Sequence, residues 1–448
     1  MCIFVDVQIP GSFFDHVAAC DGFDEHEFRA AHAEAPQVSV RLHHRKPACS
    51  FALTDPVPWM DNAYYLPEKP YFAHDPFFHA GCYYVQEAGS MFLGFLLEKI
   101  TADNKAITAL DLCASPGGKS TLLRSMLPEH SLLISNEAIR NRTSALIENV
   151  MKWGEPGVMI THNDVAHFAQ LHACFDLVVV DAPCSGSGMF RKDEKAVAQW
   201  SEELVDTCAI RQRNICNNIC NAIKEGGYLI YSTCSYSREE NEDIIASLVG
   251  SGIFKLIHWA LPAEWNIVQN KYGYRFYPGK TRSEGFFISV LQKVGSTGMM
   301  RSPGSIQWEE APSAVADAMR SFFLNDGSLK LLLHKDLVLG FPEMCLPAAL
   351  PIISHLHALR IGLPLATLKG RDIIPEHPLA MSAYLHPELP VHKVDLPDAL
   401  NYLRRGTIAS ELPAGWFQVT YQERTLGWAK QLGNRINNYY PTEWRLRK

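Results

Sequence analysis

The chain has 448 residues, of which 47% are hydrophobic and 20% charged, and its formal net charge is −7. This length favours two or three domains over a single core, and the composition excludes a disordered or collagen-like chain. No stretch approaches the roughly 18 consecutive apolar residues of a membrane-spanning helix, and the first residues lack the basic start of a secretory leader. We therefore expect a cytoplasmic protein without membrane contact, whose twelve cysteines are mostly reduced and buried.

Residues 1–60 are predicted to form an N-terminal α+β module. Residues 39–43 alternate apolar and polar side chains, as a half-buried strand does, and four prolines between positions 36 and 58 punctuate the region. Residues 61–85 are rich in Tyr, Phe and Pro, which predicts an ordered connector.

Residues 61–295 are predicted to form a central domain in which strands alternate with helices. Continuous Val, Ile and Leu runs separated by helical segments indicate a parallel sheet that is covered on both faces. The sequence therefore predicts a doubly wound α/β fold. Strands are predicted at residues 107–112, 131–135, 158–161, 176–180, 228–232 and 286–291, and helices at residues 119–127, 140–153, 205–224 and 239–249.

A Gly- and Ser-containing stretch at residues 295–305 predicts a linker, which leaves residues 306–448 for a C-terminal region. Its tail, residues 424–448, carries six basic residues against one acidic residue, with aromatic residues between them. This combination is typical of a surface that binds nucleic acid, although a merely solvated face is an open alternative. The basic residues are Arg424, Lys430, Arg435, Arg445, Arg447 and Lys448, and the aromatic ones are Trp428, Tyr439, Tyr440 and Trp444.

A candidate cofactor site follows the first strand of the central domain. The run DLCASPGGKS at residues 111–120 joins this strand to a helix through a tight turn, where cofactors bind in open α/β sheets. Gly117 and Gly118 allow a ligand to approach the backbone closely. The turn has neither GxGxxG nor GxxxxGK[ST] spacing, so neither a dinucleotide nor a nucleoside triphosphate is favoured.

Acidic side chains extend this candidate site along the sheet. Glu137, Asp164 and Asp181 follow the second, third and fourth predicted strands, and the carboxyl ends of parallel strands meet at one edge. An acid after the second strand is typical of a group that accepts hydrogen bonds from ribose hydroxyls. Helix capping explains any one of these residues, but it explains the whole set less well.

Two cysteines follow consecutive strands near the end of the domain. Cys184 lies in DAPCSGSG at residues 181–188, and Cys234 lies in YSTCSY at residues 231–236. Gly, Ser and Thr surround them, instead of the packing residues expected around an inert buried cysteine. Methylation of cytosine C5 requires a thiolate that adds to C6 and a carboxyl group near N3. Cys184, Cys234 and Asp181 supply the residue types that this chemistry uses.

The motifs DLCASPGGK, DAPCSGSGM and STCS, with YVQEAGSM at residues 84–91, together resemble the Nop/Sun family of RNA cytosine-5 methyltransferases. The resemblance implies a Rossmann-like, S-adenosylmethionine-dependent methyltransferase domain. It further implies that Cys234 is the nucleophile, that Cys184 serves product release, and that Asp181 contacts both cofactor and base. The implied cofactor-binding residues are Cys113, Ala114, Ser115, Pro116, Gly117, Gly118, Lys119, Glu137, Asp164 and Asp181.

Further motifs are similar to the bacterial small-subunit ribosomal RNA methyltransferase F branch of that family. They are GFP at residues 340–342, GWAKQ at residues 427–431 and NNYYP at residues 437–441. This resemblance implies that the partner is RNA, either 16S ribosomal RNA or the small ribosomal subunit. It implies neither DNA nor a metal ion as a partner. It also implies a C-terminal RNA-binding region that is PUA-like at its end. The N-terminal module has one dense basic cluster, at residues 43–46, so its share in RNA binding is an open question.

Alternative functions differ in the chemistry of the two cysteines or in the nucleic acid. A transfer RNA cytosine-5 methyltransferase would use the same residues. A DNA cytosine-5 methyltransferase would use Cys184 as nucleophile and would not need the TCS motif at residues 233–235. A ribosome-assembly factor without catalysis would not need Cys184, Cys234 or Asp181. A dinucleotide-dependent dehydrogenase is excluded by the glycine spacing.

Overall fold

The computed structural model describes residues 9–295, 309–324, 327–370 and 372–447. Most of the predicted linker, the first eight residues and Lys448 lie outside these ranges. No helix in the described ranges is both long enough and apolar enough to cross a membrane.

The N-terminal part contains two helices and a small antiparallel sheet of order β2-β3-β1-β4. The strand predicted at residues 39–43 is confirmed as β1. The sheet includes residues on both sides of position 60, the predicted end of the N-terminal module, because Asp55 on β2 pairs with Tyr65 on β3. The elements are α1 (Gly11–Val17), α2 (Glu25–His32), β1 (Val38–Leu42), β2 (Asp55–Pro56), β3 (Ala63–Leu66), α3 (Pro76–His79) and β4 (Tyr83–Val85).

The central part is built on a sheet of order β11-β12-β13-β9-β8-β5-β6-β7-β17, with β10 paired to β13. Strands β5 to β9 pair with one another in parallel, which confirms the predicted Rossmann-like α/β fold. The elements are α4 (Ala88–Ile100), β5 (Thr108–Asp111), α5 (Gly118–Met126), β6 (Leu132–Asn136), α6 (Thr143–Trp153), β7 (Val158–Thr161), β8 (Phe175–Asp181), α7 (Glu194–Gln199), α8 (Glu202–Ile219), β9 (Ile223–Thr233), α9 (Glu242–Gly250), β10 (Phe254–Ile257), β11 (Val268–Gln269), β12 (Tyr274–Phe276) and β13 (Phe286–Lys293).

Both faces of this sheet are buried. Leu110 and Val178 belong to one hydrophobic cluster, whereas their chain neighbours Ala109 and Leu177 belong to another. Adjacent residues of a strand point to opposite faces, so the two clusters cover the two sides. The near-continuous apolar strands of the sequence have this double burial as their physical cause.

The strand order reverses between β5 and β8. From β5 the chain moves outward through β6 and β7, then returns to β8 and β9 on the other side of β5. Ligands of open α/β sheets bind at the carboxyl ends of the strands beside such a reversal. The turn after β5 and the ends of β8 and β9 therefore lie where a ligand site is expected.

The helix predicted at residues 205–224 was too long, and the strand after it starts earlier than predicted. Helix α8 ends at Ile219, and β9 begins at Ile223. Ile223 is fully buried opposite Phe175 on β8, and Lys224 pairs with Asp176 at 2.7 Å. Pairing with β8 thus overrides the helical pattern of the local sequence.

The C-terminal part contains two further sheets, of order β14-β15-β16-β18-β19 and β20-β21-β22-β23, and it adds β17 to the edge of the central sheet beside β7. The elements are β14 (Glu309–Glu310), α10 (Ser313–Met319), β15 (Leu329–His334), β16 (Leu337–Pro342), α11 (Leu346–Ile353), β17 (Ala358–Ile361), β18 (Leu363–Lys369), β19 (Asp372–Pro375), α12 (His377–Met381), β20 (Val391–Val394), α13 (Leu396–Leu403), β21 (Gly415–Tyr421), β22 (Arg424–Leu432) and β23 (Arg435–Asn438).

Candidate active site

The turn between β5 and α5 has the geometry of a ligand-binding turn. Gly117 has φ +115°, a conformation that favours glycine, and a Cβ there would lie 3.3 Å from Asn149. Helix α5 begins at Gly118, so its first backbone N–H groups are free to face a ligand beyond the sheet edge. Just before the turn, the Asp111 carboxylate accepts a hydrogen bond from the Ser120 hydroxyl at 2.7 Å. Burial raises the pKa of Asp111 to about 7.

The middle of this turn is held by contacts with α6 and β6. The Arg142 guanidinium donates to the Ser115 carbonyl at 2.8 Å, and the Asn149 amide donates to the Pro116 carbonyl at 2.9 Å. The Ala114 N–H donates to the Asn136 carbonyl at 2.8 Å. Burial raises the pKa of the Cys113 thiol, which keeps it a neutral thiol. The turn therefore presents backbone groups, and the Cys113 side chain has no sign of reactivity.

Glu137 has the features of a ligand-binding carboxylate. It is 3% exposed, and its Oε1 accepts a hydrogen bond from the Ile139 N–H at 2.8 Å. Its Oε2 has no hydrogen-bond partner among the described residues, and the nearest cation, Arg142, is 3.7 Å away. A buried acceptor without a donor is costly, so Oε2 fits a ligand that brings hydroxyl donors.

Asp164 lies close to Glu137 in the fold but also caps a helix. The two strand ends are joined because Asn136 donates to the Asn163 carbonyl at 3.0 Å. However, the Asp164 carboxylate accepts a hydrogen bond from the Ala166 N–H at 2.9 Å and is exposed. The capping alternative thus describes Asp164 well, and its cofactor role stays a prediction.

Asp181 connects the cofactor turn with the cysteine loops. Its two carboxylate oxygens accept from the Ser232 hydroxyl and pair with the Lys119 ammonium, each at 2.7 Å. Lys119 is the second residue of α5, whereas Ser232 lies two residues before Cys234. The side chain of Asp181 is about one-third exposed, so this ion pair is accessible from the edge of the sheet.

The two predicted cysteines meet at the ends of β8 and β9. The Cys184 and Cys234 sulfur atoms are 3.0 Å apart, and both residues are partly buried. The hydrogen bond with Cys234, followed by burial, raises the pKa of Cys184 well above its usual range. Cys184 therefore keeps its proton near neutral pH and can donate it in a hydrogen bond to the Cys234 sulfur.

Two residues beside this site were not found from the sequence. Ile139 is 51% exposed immediately after the Glu137 turn and offers an apolar surface beside it. Glu240 is fully buried and bonded to the loops of both cysteines. In the sequence, Ile139 is a lone Ile in a loop and Glu240 is one acid in an acidic run. Both patterns are common on solvated surfaces, so neither one points to a site.

Two of the four aromatic residues of the tail lie inside the fold, whereas Tyr439 and Trp444 are only partly buried. Trp428 and Tyr440 are fully buried, and the Trp428 indole N–H donates to the Glu376 carbonyl at 2.9 Å. Strand β22 is central in its sheet, so alternate side chains face the core. Among the described residues of the tail, which end at Arg447, the exposed basic ones are Arg435, Arg445 and Arg447.

The basic cluster at residues 43–46 is used in packing. The Lys46 ammonium donates to the carbonyls of Lys152 and Met381, which links the N-terminal, central and C-terminal parts. His43, His44 and Glu155 form the one group among the described residues whose ligand atoms are close enough to hold a metal ion. His43 is already engaged at both ring nitrogens, with the Trp153 carbonyl and the Arg45 N–H. This group therefore carries no metal assignment.

Comparison with known proteins agrees with this architecture. Residues 99–292 match the family described as 16S rRNA methyltransferase RsmB/F. Residues 9–88 match the N-terminal domain of 16S rRNA methyltransferase RsmF, and residues 389–446 match the methyltransferase RsmF PUA domain. Among solved structures, a methyltransferase homolog from Pyrococcus horikoshii has a TM-score of 0.53 at 23% identity, over 64% of this chain and 96% of its own. NSun6 from Pyrococcus horikoshii, solved with the S-adenosylmethionine analogue SFG, has a TM-score of 0.52 at 17% identity, over 65% of this chain and 100% of its own.

The fold and the matched families define an S-adenosylmethionine-dependent RNA methyltransferase with a C-terminal PUA domain. Ribosomal RNA small subunit methyltransferase F of Erwinia tasmaniensis is 30% identical over 88% of this chain and 85% of its own length. The protein of the same name from Shewanella loihica is 29% identical over 98% of this chain and 95% of its own length. The chain belongs to the ribosomal RNA small subunit methyltransferase F family.

Proposed function

We propose that this protein transfers the methyl group of S-adenosylmethionine to carbon 5 of a cytosine in 16S ribosomal RNA. The observation that carries the proposal is the pair of sulfur atoms 3.0 Å apart beside the Asp181–Lys119 ion pair. Addition to a pyrimidine ring requires a nucleophilic cysteine and a carboxyl group, and the later elimination of that cysteine uses a second thiol. The names of the relatives support ribosomal RNA as substrate, and the cytoplasm follows as the location.

The cofactor-binding residues are proposed to be those predicted from the sequence. S-adenosylmethionine would supply an electrophilic methyl group. Glu137 would accept hydrogen bonds from the ribose through Oε2, which accepts none from the described residues, and Ile139 would cover an apolar ring. The backbone of residues 113–118 and the Lys119–Asp181 pair would surround the rest of the molecule.

In the proposed reaction Cys234 forms a bond to C6 of the cytosine. Cys234 attacks as the thiolate, and the electron pair of the C5–C6 double bond moves toward N3, where the Lys119 ammonium, held by Asp181, can stabilise the negative charge. S-adenosylmethionine, held by the residues named above, would supply the methyl group to the enamine carbon C5 and would leave as S-adenosylhomocysteine. Cys184 serves the last step as a proton relay: it takes the C5 proton and gives its own proton to the Cys234 sulfur, 3.0 Å away, as the C5–C6 double bond re-forms and the C6–sulfur bond breaks.

Glu137→Ala is expected to weaken S-adenosylmethionine binding by about 1–3 kcal/mol, the cost of unpaired polar groups at a binding site. Isothermal titration calorimetry on the purified protein measures this directly. Glu129→Ala is the matched control, because Glu129 is exposed and precedes β6, the strand that Glu137 follows. Unchanged affinity in the Glu137 variant would remove Glu137 from the cofactor site.

Replacing Arg435, Arg445 and Arg447 with Ala is expected to weaken RNA binding. The slope of log affinity against log salt, which is negative, should become shallower by about 2. All three are exposed near the carboxyl end, where they can pair with phosphates. Fluorescence anisotropy across a salt series gives the slope. A control with Arg29, Lys99 and Lys105 replaced removes the same charge from other exposed positions; an equal loss in both variants would mean that the tail has no special role.

The substrate is tested by incubating the protein with labelled S-adenosylmethionine and purified 16S ribosomal RNA, small ribosomal subunits, or transfer RNA. We expect incorporation into 16S ribosomal RNA or the subunit, and none with the Cys234→Ala variant. Incorporation into transfer RNA alone would replace the proposed substrate with the transfer RNA alternative. Incorporation into none of them would favour an assembly factor without catalysis.

A further inference from the structure

Glu240 is a buried carboxylate with no role in the reaction described above. It lies between the end of β9 and the start of α9, and the residue is 0% exposed. Its four hydrogen-bond donors are neutral groups. Burying a charge among neutral groups costs free energy. Packing alone therefore does not explain why a carboxylate occupies this position.

Three of the four donors to Glu240 come from the loops of the two cysteines. Ser185, next to Cys184, donates from its N–H to Oε1 at 2.8 Å and from its hydroxyl to Oε2 at 2.5 Å. Ser235, next to Cys234, donates from its hydroxyl to the same Oε2 at 2.5 Å. One carboxylate thus bridges the residues that directly follow the two cysteines.

Further contacts fix this bridge to the scaffold. Gln212 on α8 donates to Glu240 Oε1 at 3.0 Å and to the Pro183 carbonyl at 3.1 Å. The Tyr231 hydroxyl on β9 donates to the Glu240 carbonyl at 2.7 Å. Both cysteine loops are therefore bonded to one buried carboxylate, and contacts with β9 and α8 hold that carboxylate in place.

We propose that Glu240 is a positioning residue, which holds the loops of Cys184 and Cys234 in register so that the two thiols act on the same base. Among the described residues its carboxylate accepts hydrogen bonds from Ser185, Ser235 and Gln212 and from neither thiol, so it acts through the two serines. The proposal rests on the proposed function for the roles of the cysteines, whereas the bridge itself is independent of that function.

Electrostatics adds a second consequence. The pKa of Cys184 is raised first by the hydrogen bond with Cys234 and by burial, and the Glu240 carboxylate adds to the rise. The other titratable groups around the pair are Tyr231 on β9, Cys208 on α8 and Asp181 at the end of β8. Neutralising Glu240 should therefore let Cys184 ionise at lower pH.

Two substitutions separate geometry from charge. Glu240→Gln keeps the length of the side chain: its amide oxygen can accept from Ser185 and Gln212, and its amide N–H groups can donate to the two serine hydroxyls. Glu240→Asp keeps the charge but is one methylene shorter and cannot reach both loops. Glu239→Gln is the control, because Glu239 is the preceding carboxylate and pairs with His16 at the surface.

The first readout needs no RNA. Diamide closes a disulfide between thiols that lie close together, and mass spectrometry follows the Cys184–Cys234 crosslink. We expect closure to slow by about tenfold in Glu240→Asp, the effect of one lost hydrogen bond, and to stay near the wild-type rate in Glu240→Gln and Glu239→Gln. If Glu240→Asp does not fold, Ser235→Ala replaces it. This substitution removes the link to the Cys234 loop and should also slow the closure of the disulfide. Wild-type closure rates in both Glu240→Asp and Ser235→Ala would overturn the proposal.

The second readout is the pH dependence of alkylation of Cys184 by iodoacetamide, measured on its peptide. The midpoint should move to lower pH in Glu240→Gln and stay at the wild-type value in Glu239→Gln. An unmoved midpoint in Glu240→Gln would overturn the electrostatic part. Methylation and adduct assays on the same variants keep the outcomes distinct: a wild-type protein that methylates no RNA refutes the proposed function, while the crosslinking result still decides the role of Glu240.

Discussion

Cys184→Ala is expected to turn the protein into a trap that stays covalently attached to its RNA. In this variant Cys234 can still add to C6, and the methyl group can still be transferred. The missing thiol lies 3.0 Å from the Cys234 sulfur, so the site loses the group placed to serve the loss of the C5 proton. Elimination then has no positioned proton carrier and slows strongly. Labelled RNA should comigrate with the protein in denaturing electrophoresis.

Cys234→Ala is the complementary variant and should neither form an adduct nor methylate RNA. Cys49→Ala serves as control, because Cys49 is a partly buried cysteine of the N-terminal part and should behave as wild type. An adduct with Cys234→Ala but not with Cys184→Ala would exchange the two roles and favour the DNA-type mechanism. The absence of adduct in all variants would contradict covalent catalysis.

Asp181→Asn should lower the single-turnover methylation rate by roughly 100- to 1,000-fold, the effect of losing one group that stabilises charge in the transition state. Asparagine keeps the shape, but it cannot both accept from Ser232 and pair with Lys119 as the carboxylate does. The negative charge that holds the Lys119 ammonium at the site is lost, and with it the stabilisation near N3. Rapid-quench assays with saturating S-adenosylmethionine measure the rate.

Asp176→Asn is the matched control for this prediction. Asp176 lies on the same strand, β8, and pairs with Lys224 at the same 2.7 Å, but it lies at the other end of the sheet. Its rate should remain within a few-fold of wild type, since this pair is partly exposed and such a pair contributes about 1 kcal/mol or less. A similar rate loss in both variants would mean that Asp181 supports only the fold. If Asp181→Asn changed the cofactor affinity but not the methylation rate, the role of Asp181 would be cofactor binding alone.

The central fold and the place of the site were predictable because both rest on local patterns. Uninterrupted apolar strands, such as residues 158–161, reflect burial on two faces, and the strand ends fix which side chains meet. Cys184 and Cys234 could be paired in advance because parallel strands bring their carboxyl ends to one edge. Their distance and the protonation of Cys184 required the three-dimensional structure.

Other features depend on contacts that the sequence does not encode locally. Glu240 resembles any surface acid until its serine and glutamine donors are placed around it. Trp428 and Tyr440 resemble a stacking surface in sequence, yet they pack inside the domain. Strand β17 joins the central sheet from about two hundred residues downstream of β7, and a pairing of such separation leaves no periodic signal.

The most direct test of the account is the identity of the methylated nucleoside. Ribosomal RNA methylated in vitro by the wild-type protein is digested to nucleosides, which are separated and identified by mass spectrometry. The account predicts that 5-methylcytidine carries the transferred methyl group, and that the product is missing with Cys234→Ala. A methyl group on a ribose, on an exocyclic amine or on another base would contradict it.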